Sequence, residues 1–403
     1  MNKSTKIVGR VILFCLAFLI SNFAFGEVHL NKEKLNQIPQ TLQKFADEKV
    51  ISGAVALVAD KESVLFCEAV GYSDLTTKRK MHKDDLFWIA SMTKPITAVA
   101  VMILQDEGKL NINDPVEKYL PEFKNQWMIK DQTNEQLILV KPPRAITIRD
   151  LMTHTSGLND LTPPRAHSSL AELVMAYSQL PLKFPAGSRW EYSNSGINTL
   201  GRIVEVVSGK PYPEFVNERI FKPLGMKNTT FWPSESDIYR IARSYEPDKD
   251  SGGLKETSIF LIQGDLTDKT RTPFPAWGLF STAKDLCNFY QMMLNKGSFH
   301  GKRILSEDAV KEMTHTQTGN LKTGFSDGMS FGLGFAVVKE PQDVTGMLSK
   351  GTFGHGGAYG TQSWADPQKG TIYILMIQRA KLPNADASDI RREFQETAAK
   401  AVE

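Results

Sequence analysis

Cysteine is scarce in this chain, with three residues among 403 and no C-x-x-C spacing. The seven histidines stand singly and no H-E-x-x-H run occurs, so no zinc site is expected. A dominant charge is also missing: 48 lysines and arginines face 45 acidic residues, a formal +3. That near-balance gives no electrostatic reason to expect nucleic acid or an anionic membrane as a partner. No internal repeat or low-complexity tract is present. The long apolar run at residues 11–20 is too short to span a bilayer as a stable helix.

That run has a different reading. Lys3, Lys6 and Arg10 precede it, and Ala24-Phe25-Gly26 supplies small residues for cleavage, so residues 1–26 read as a secretory signal, with an uncleaved anchor as the alternative. Removing the segment takes away three basic residues and no acidic one, which leaves a formally neutral mature chain. The product is then expected in the periplasm or outside the cell, with no further membrane association. Cys67 and Cys287 remain in it. They read as buried free thiols, a single disulfide in an oxidising compartment being the alternative.

What is present is ordinary globular composition, 41% hydrophobic and 23% charged, in a chain long enough for a substantial core. Residues 54–59 and 64–70 read as strands joined by the turn Asp60-Lys61-Glu62. Ile96, Val99, Ala100, Ile103 and Leu104 recur at helical spacing between Pro95 and Gly108, which predicts a helix over 95–107. Helices are also expected over 170–180 and 197–208. Pro163-Pro164, Pro185-Ala186-Gly187 and Pro223-Leu224-Gly225 break the middle of the chain. Strands return at 331–338, 361–365 and 371–377, and a last amphipathic helix near 387–402 places Ile390, Phe394 and Ala398 on one face. The fold class read from this order is α+β: one antiparallel sheet assembled from both ends of the chain and flanked by helices, with a mostly helical region inserted in the middle. Residues 27–90 with 283–403 would form the sheet-bearing part and 91–282 the helical part, a cleft between them being the natural place for a site.

Chemistry is carried by three short motifs. In Ser91-Met92-Thr93-Lys94, at the start of the 95–107 helix, positions i and i+3 share a face, so the lysine amine can reach the serine hydroxyl. Serine needs such a base to act as a nucleophile, and lysine serves only if burial or nearby cations lower its pKa. The helix N-terminus also favours negative charge near Ser91. A second copy, Ser281-Thr282-Ala283-Lys284, reads instead as a helix start with Thr282 as cap and Asp285 in the first turn. Tyr192-Ser193-Asn194 is expected in a loop before the 197–208 helix. A phenol beside an ammonium ionises more readily, so Tyr192 is a candidate to share the base role. Asn194 can meet both Lys94 and a substrate amide. His355-Gly356-Gly357 is expected to lead into a strand, with glycines that let a substrate lie along the strand edge. The amides of Ser91 and Ala358 would then form an oxyanion hole.

Taken in order, these motifs resemble the serine β-lactamase and penicillin-binding-protein superfamily, most closely its class C β-lactamase, DD-peptidase and related esterase branch. The pattern is Ser-x-x-Lys, Tyr-x-Asn, then Lys/His-x-Gly. The resemblance spans roughly residues 53–377 and includes Leu151-Met152-Thr153-His154-Thr155-Ser156-Gly157 and Pro275-Ala276-Trp277-Gly278-Leu279-Phe280-Ser281-Thr282. It implies that Ser91 is acylated, that Lys94 and Tyr192 handle the proton, and that Asn194, His355, Gly357 and Ala358 hold a small ester, lactam or short-peptide substrate, with no metal or organic cofactor. One departure bears on the substrate. Lactamases of this branch usually carry Lys-Thr-Gly or Lys-Ser-Gly where this chain has His-Gly-Gly. A permanent cation and a hydroxyl are both lost, which favours an ester over a carboxylate-bearing lactam. A β-lactamase, a D-amino-acid peptidase and a non-catalytic binder of cell-wall peptides are the alternatives. Gly328-Met329-Ser330-Phe331-Gly332 matches the G-x-S-x-G elbow but precedes a strand-like segment rather than the helix an elbow requires. The glycines of residues 354–360 miss the dinucleotide-loop spacing.

Overall fold

The computed structural model describes residues 31–161 and 167–402. The signal read at residues 1–26 and the Pro163-Pro164 break lie outside the described residues. Strand β1 (Gly53–Asp60) is a run of small and branched apolar residues, buried on both faces as a central strand requires. Asp60 closes the following turn by accepting the amides of Glu62 and Ser63 at 2.7 and 2.6 Å, and β2 (Val64–Asp74) returns alongside, followed by the short β3 (Arg79–Lys80). The other five strands of this sheet come from the far end of the chain: β4 (Met329–Phe331), β5 (Ala336–Val338), β6 (Phe353–Gly356), β7 (Gln362–Asp366) and β8 (Thr371–Met376). They assemble in the order β4-β5-β6-β7-β8-β1-β2-β3, with every neighbouring pair antiparallel. The two ends meet at β1 and β8, from Val55 opposite Met376 to Asp60 opposite Thr371. This is the α+β sheet expected from the sequence.

The principal helices are α1 (Ile38–Asp47), α2 (Thr93–Asp106), α3 (Leu170–Ser178), α4 (Asn194–Ser208), α5 (Ala283–Leu294) and α6 (Asp389–Lys400). The two-residue period of β1 divides the core. Ala54, Ala56 and Val58 face α1 and α6, where Ile38, Leu42, Phe45, Ile390 and Phe394 pack. Val55, Leu57 and Ala59 face the larger cluster that contains α2, α4 and α5. Helix α2 is buried from Thr93 to Leu104, so the lysine of its first turn is carried into the interior by its neighbours.

Two segments differ from the expectation. Residues 331–338 are not one strand: Gly332 donates to the Phe335 carbonyl at 2.9 Å and Gly334 adopts φ +76, which turns the chain from β4 into β5. Gly334 also rests on Ala98 of α2, and a Cβ there would lie 2.3 Å from the Ala98 methyl. The alternation Phe-Gly-Leu-Gly-Phe imitates a strand while its glycines make a turn. Helix α4 begins at Asn194 rather than 197, because Ser193 caps it by accepting the Gly196 amide at 3.1 Å. Asn194 is therefore the first residue of a rigid helix rather than part of a loop.

Candidate active site

Ser91 sits in a tight turn, Ala90–Met92, that feeds directly into α2. The residue before it, Ala90, has φ +45, a strained conformation for a side chain larger than glycine. The turn is held by the Thr93 hydroxyl donating to the Ala90 carbonyl at 2.7 Å, and by the Ile89 amide donating to Leu279 at 3.0 Å. One helical turn on, Lys94 is fully buried and its Nζ lies 3.0 Å from Ser91 Oγ, 2.9 Å from Asn194 Oδ1 and 2.8 Å from the Ala276 carbonyl. Burial lowers the Lys94 pKa to about 7, against a smaller opposing pull from Asp160. The two oxygens from Asn194 and Ala276 can only accept. A neutral amine has two N–H groups and one lone pair. Both N–H groups are thus spoken for, and the lone pair is left facing the serine hydroxyl.

The Tyr192 ring packs against this amine, with Lys94 Nζ 4.6 Å from the ring centroid, and its phenol is near Ser91. Burial pushes the phenol upward from its ordinary range, with Ser91 acting in the opposite direction. The expectation that a neighbouring ammonium would ease its ionisation is therefore corrected: desolvation outweighs it. Tyr192 stays protonated, so beside Ser91 it is a group that can donate rather than a base. The segment carrying it is pinned by His154, which has φ +59. The His154 carbonyl accepts the Glu191 amide at 2.9 Å, its Nδ1 accepts the Ser193 amide at 3.2 Å, and its ring lies 4.6 Å from that of Tyr192. Its pKa is driven well below the ordinary value, first by burial and then by Lys94, so it is a neutral strut. Asp160 fixes the start of α4 by accepting the amides of Asn194 at 3.4 Å and Ser195 at 2.7 Å.

The third motif closes β6 rather than leading into it, with His355 and Gly356 as the last residues of the strand. Strand β5 pairs only with Phe353 and Gly354, so the edge from His355 onward faces the cleft. Gly357 follows, and a Cβ there would lie 2.1 Å from Thr361 Oγ1 and 2.7 Å from the Ile89 carbonyl. Its glycine thus serves first to let the protein's own backbone close up, which brings the Ala358 turn against the segment that leads to Ser91. Neither the Ser91 nor the Ala358 amide donates to a protein acceptor among the described residues, so both are unengaged by the protein. His355 is buried, and its pKa is lowered to about 4, by desolvation first and Lys94 second. It donates from Nδ1 to the Gly356 carbonyl at 2.7 Å, so it is an uncharged group where related lactamases carry a cation.

Sequence reasoning did not single out the roles of Ala276, Asp160 or His154. Ala276 acts through its carbonyl, which carries no residue-type signal. It is set by Asn198 Oδ1, which accepts the Ala276 amide at 3.1 Å, and by Thr97, which donates to the Pro275 carbonyl at 2.7 Å. The rival serines are otherwise engaged. Ser330 is buried in β4, 3.1 Å from Thr318 Oγ1, and a strand hairpin follows it. Thr282 caps α5 through the Asp285 amide at 3.2 Å, and Lys284 is exposed.

A family model described as Beta-lactamase matches residues 38–398. Protein Rv1367c of Mycobacterium tuberculosis is 33% identical over 374 residues, covering 86% of this chain and 91% of that protein. Esterase EstB of Burkholderia gladioli is 28% identical, covering 83% and 87%, and Lovastatin esterase of Penicillium rubens is 26% identical, covering 88% and 96%. Among solved structures, EstCE1, a hydrolase with promiscuous acyltransferase activity, superposes with a TM-score of 0.75 at 24% identity over 91% of this chain and 98% of its own, a likeness of fold. With matching extending over most of its length, the chain belongs to the β-lactamase family of serine hydrolases.

Proposed function

We propose that this protein is an exported carboxylesterase, periplasmic or secreted, that works through an acyl-enzyme on Ser91. Lys94 takes the serine proton as Ser91 Oγ attacks the ester carbonyl, and the amides of Ser91 and Ala358 stabilise the oxyanion. The leaving alkoxide regains a proton from the Lys94 ammonium, directly or through the Tyr192 hydroxyl. Water, deprotonated by the same amine, then attacks the acyl carbonyl and frees Ser91. Asn194 holds the amine by its Oδ1 and leaves Nδ2 for the substrate.

The observation that favours an ester over a carboxylate-bearing lactam is His355, buried and uncharged at the position where a cation would pair with that carboxylate. Two relatives are named as esterases, which supports the reading. The test compares p-nitrophenyl butyrate, nitrocefin and a D-Ala-D-Ala peptide side by side. The ester is expected to lead in kcat/KM by about 100-fold or more, and a lead for nitrocefin or the peptide overturns the assignment. In the same assay His355→Lys is expected to raise turnover of a carboxylate-bearing cephalosporin. Export is checked by N-terminal sequencing of the protein from periplasm or medium, which should begin near residue 27. An intact Met1 in the cytosolic fraction overturns it.

A further inference from the structure

Behind the cleft-facing edge of β6 lies a cavity of about 20 Å³, walled by Phe325, Phe331, His355, Trp364, Asp386 and Arg391. Two of its walls carry buried polar atoms without a partner. His355 is 3% exposed, and because the Gly356 carbonyl can only accept, the imidazole proton resides on Nδ1. Its Nε2 is therefore a bare lone pair, and nothing meets it. Arg391 is 1% exposed. Its Nη1 donates to the Asp386 carbonyl, its Nε to Gln395 Oε1 at 3.0 Å, and its guanidinium lies 4.2 Å from the Trp364 ring centroid. Its Nη2 has no partner.

A buried polar atom left without a partner is destabilising, and the two are complementary: one accepts and the other is a charged donor. A group that fills both must donate and accept from a single small atom. A carboxylate does not qualify, since it has no proton for His355 Nε2, and the Asp386 carboxylate already lines the wall. An alkyl end satisfies neither atom. A hydroxyl satisfies both, and the space is of the order that one water-sized group needs, ~10–15 Å³ or more. The cavity adjoins the cleft at the Phe325 ring, which is 44% exposed and 5.0 Å from Tyr192.

We propose that this cavity is a hydroxyl-recognition subsite that selects hydroxylated acyl chains, with the hydroxyl donating to His355 Nε2 and accepting from Arg391 Nη2. The inference rests on the esterase reading above. Between His355 and the Ala358 amide the chain leaves β6 at Gly356 and turns at Gly357, so the hydroxyl belongs further along the acyl chain than the position next to the carbonyl.

The experiment measures kcat/KM for p-nitrophenyl 6-hydroxyhexanoate against p-nitrophenyl hexanoate, with the 3-, 4- and 8-hydroxy acids as a position scan. The hydroxylated ester is expected to be favoured by about tenfold or more at one position, as for sites built to bond a substrate hydroxyl. In Arg391→Met that ratio falls toward one and in Arg391→Lys it partly returns. Ala336→Leu, which fills the cavity from β5 and leaves Arg391 in place, also removes the preference. Labelling of Ser91 by a fluorophosphonate reports that each variant keeps its site. A wild-type ratio near one at every position, with hexanoate turned over normally, means a structural water only and overturns this inference while the esterase reading stands. Absence of turnover on every ester overturns the esterase reading instead.

Discussion

At the scale of single residues the site turns on how many acceptors surround one amine. Lys94 has two fixed oxygen acceptors and one hydroxyl partner, so only its neutral form can take the Ser91 proton. With its pKa lowered to about 7, kcat/KM for ester acylation is expected to rise with pH through a limb near 7 and to level off above it. His355, at about 4, adds no limb between pH 5 and 9. Asp160 favours the ammonium, so Asp160→Asn should move the limb to lower pH. A flat profile, or a shift to higher pH, would sink this account of the base. Gly357 sets the other half of the site. In Gly357→Ala the new methyl meets the Ile89 carbonyl and Thr361, which pushes the Ala358 amide out of line. The expected loss is about 100-fold in kcat, with KM much less affected. Ser91, Lys94, Tyr192 and Asn194 were legible because the chemistry needs those side chains at those spacings. The Ala276 carbonyl was not, since any residue supplies one. The protonation of Tyr192 was misjudged because sequence shows which charges are near but not how much water is gone.

At the scale of elements, legibility followed periodicity. The β1–β2 hairpin and α2 were readable from runs of apolar residues with clear stops at Asp60 and Gly108. The β4–β5 hairpin was missed because its turn glycines sit among aromatic residues at strand spacing. Helix α6 shows what a correctly read amphipathic face contributes. Its Ile390, Phe394 and Ala398 close the second core cluster against α1 and the sheet face of Ala54, Ala56 and Val58. Phe394→Ala leaves a hole in that layer and is expected to cost about 3–5 kcal/mol of stability, the usual range for such truncations. The check is the urea midpoint with the slope unchanged. A loss under about 1 kcal/mol would mean that α6 is not anchored by this ring.

At the scale of the whole molecule, the sheet joins residues from opposite ends of the chain, and two cysteines, Cys67 and Cys287, sit close to that join. Cys67 lies on β2, opposite Leu57 of β1, and Cys287 lies on α5, which packs over β1. Both are free. The export proposed above would expose them to oxidants, so their reduced state requires a physical reason. Burial supplies it: desolvation raises the Cys67 pKa, and it takes Cys287 up to about 12. The thiolate is the species that forms a disulfide, and here it is rare while the chain is folded. The native protein should therefore react slowly with a thiol reagent, and the unfolded mature chain should titrate as two thiols. Its melting temperature should be the same with and without reductant. A titration of zero in the unfolded, unreduced protein, with a melting temperature that drops on reduction, would instead mean that a covalent bond ties the two halves of the fold together, and that non-covalent packing across β1 does not hold them alone.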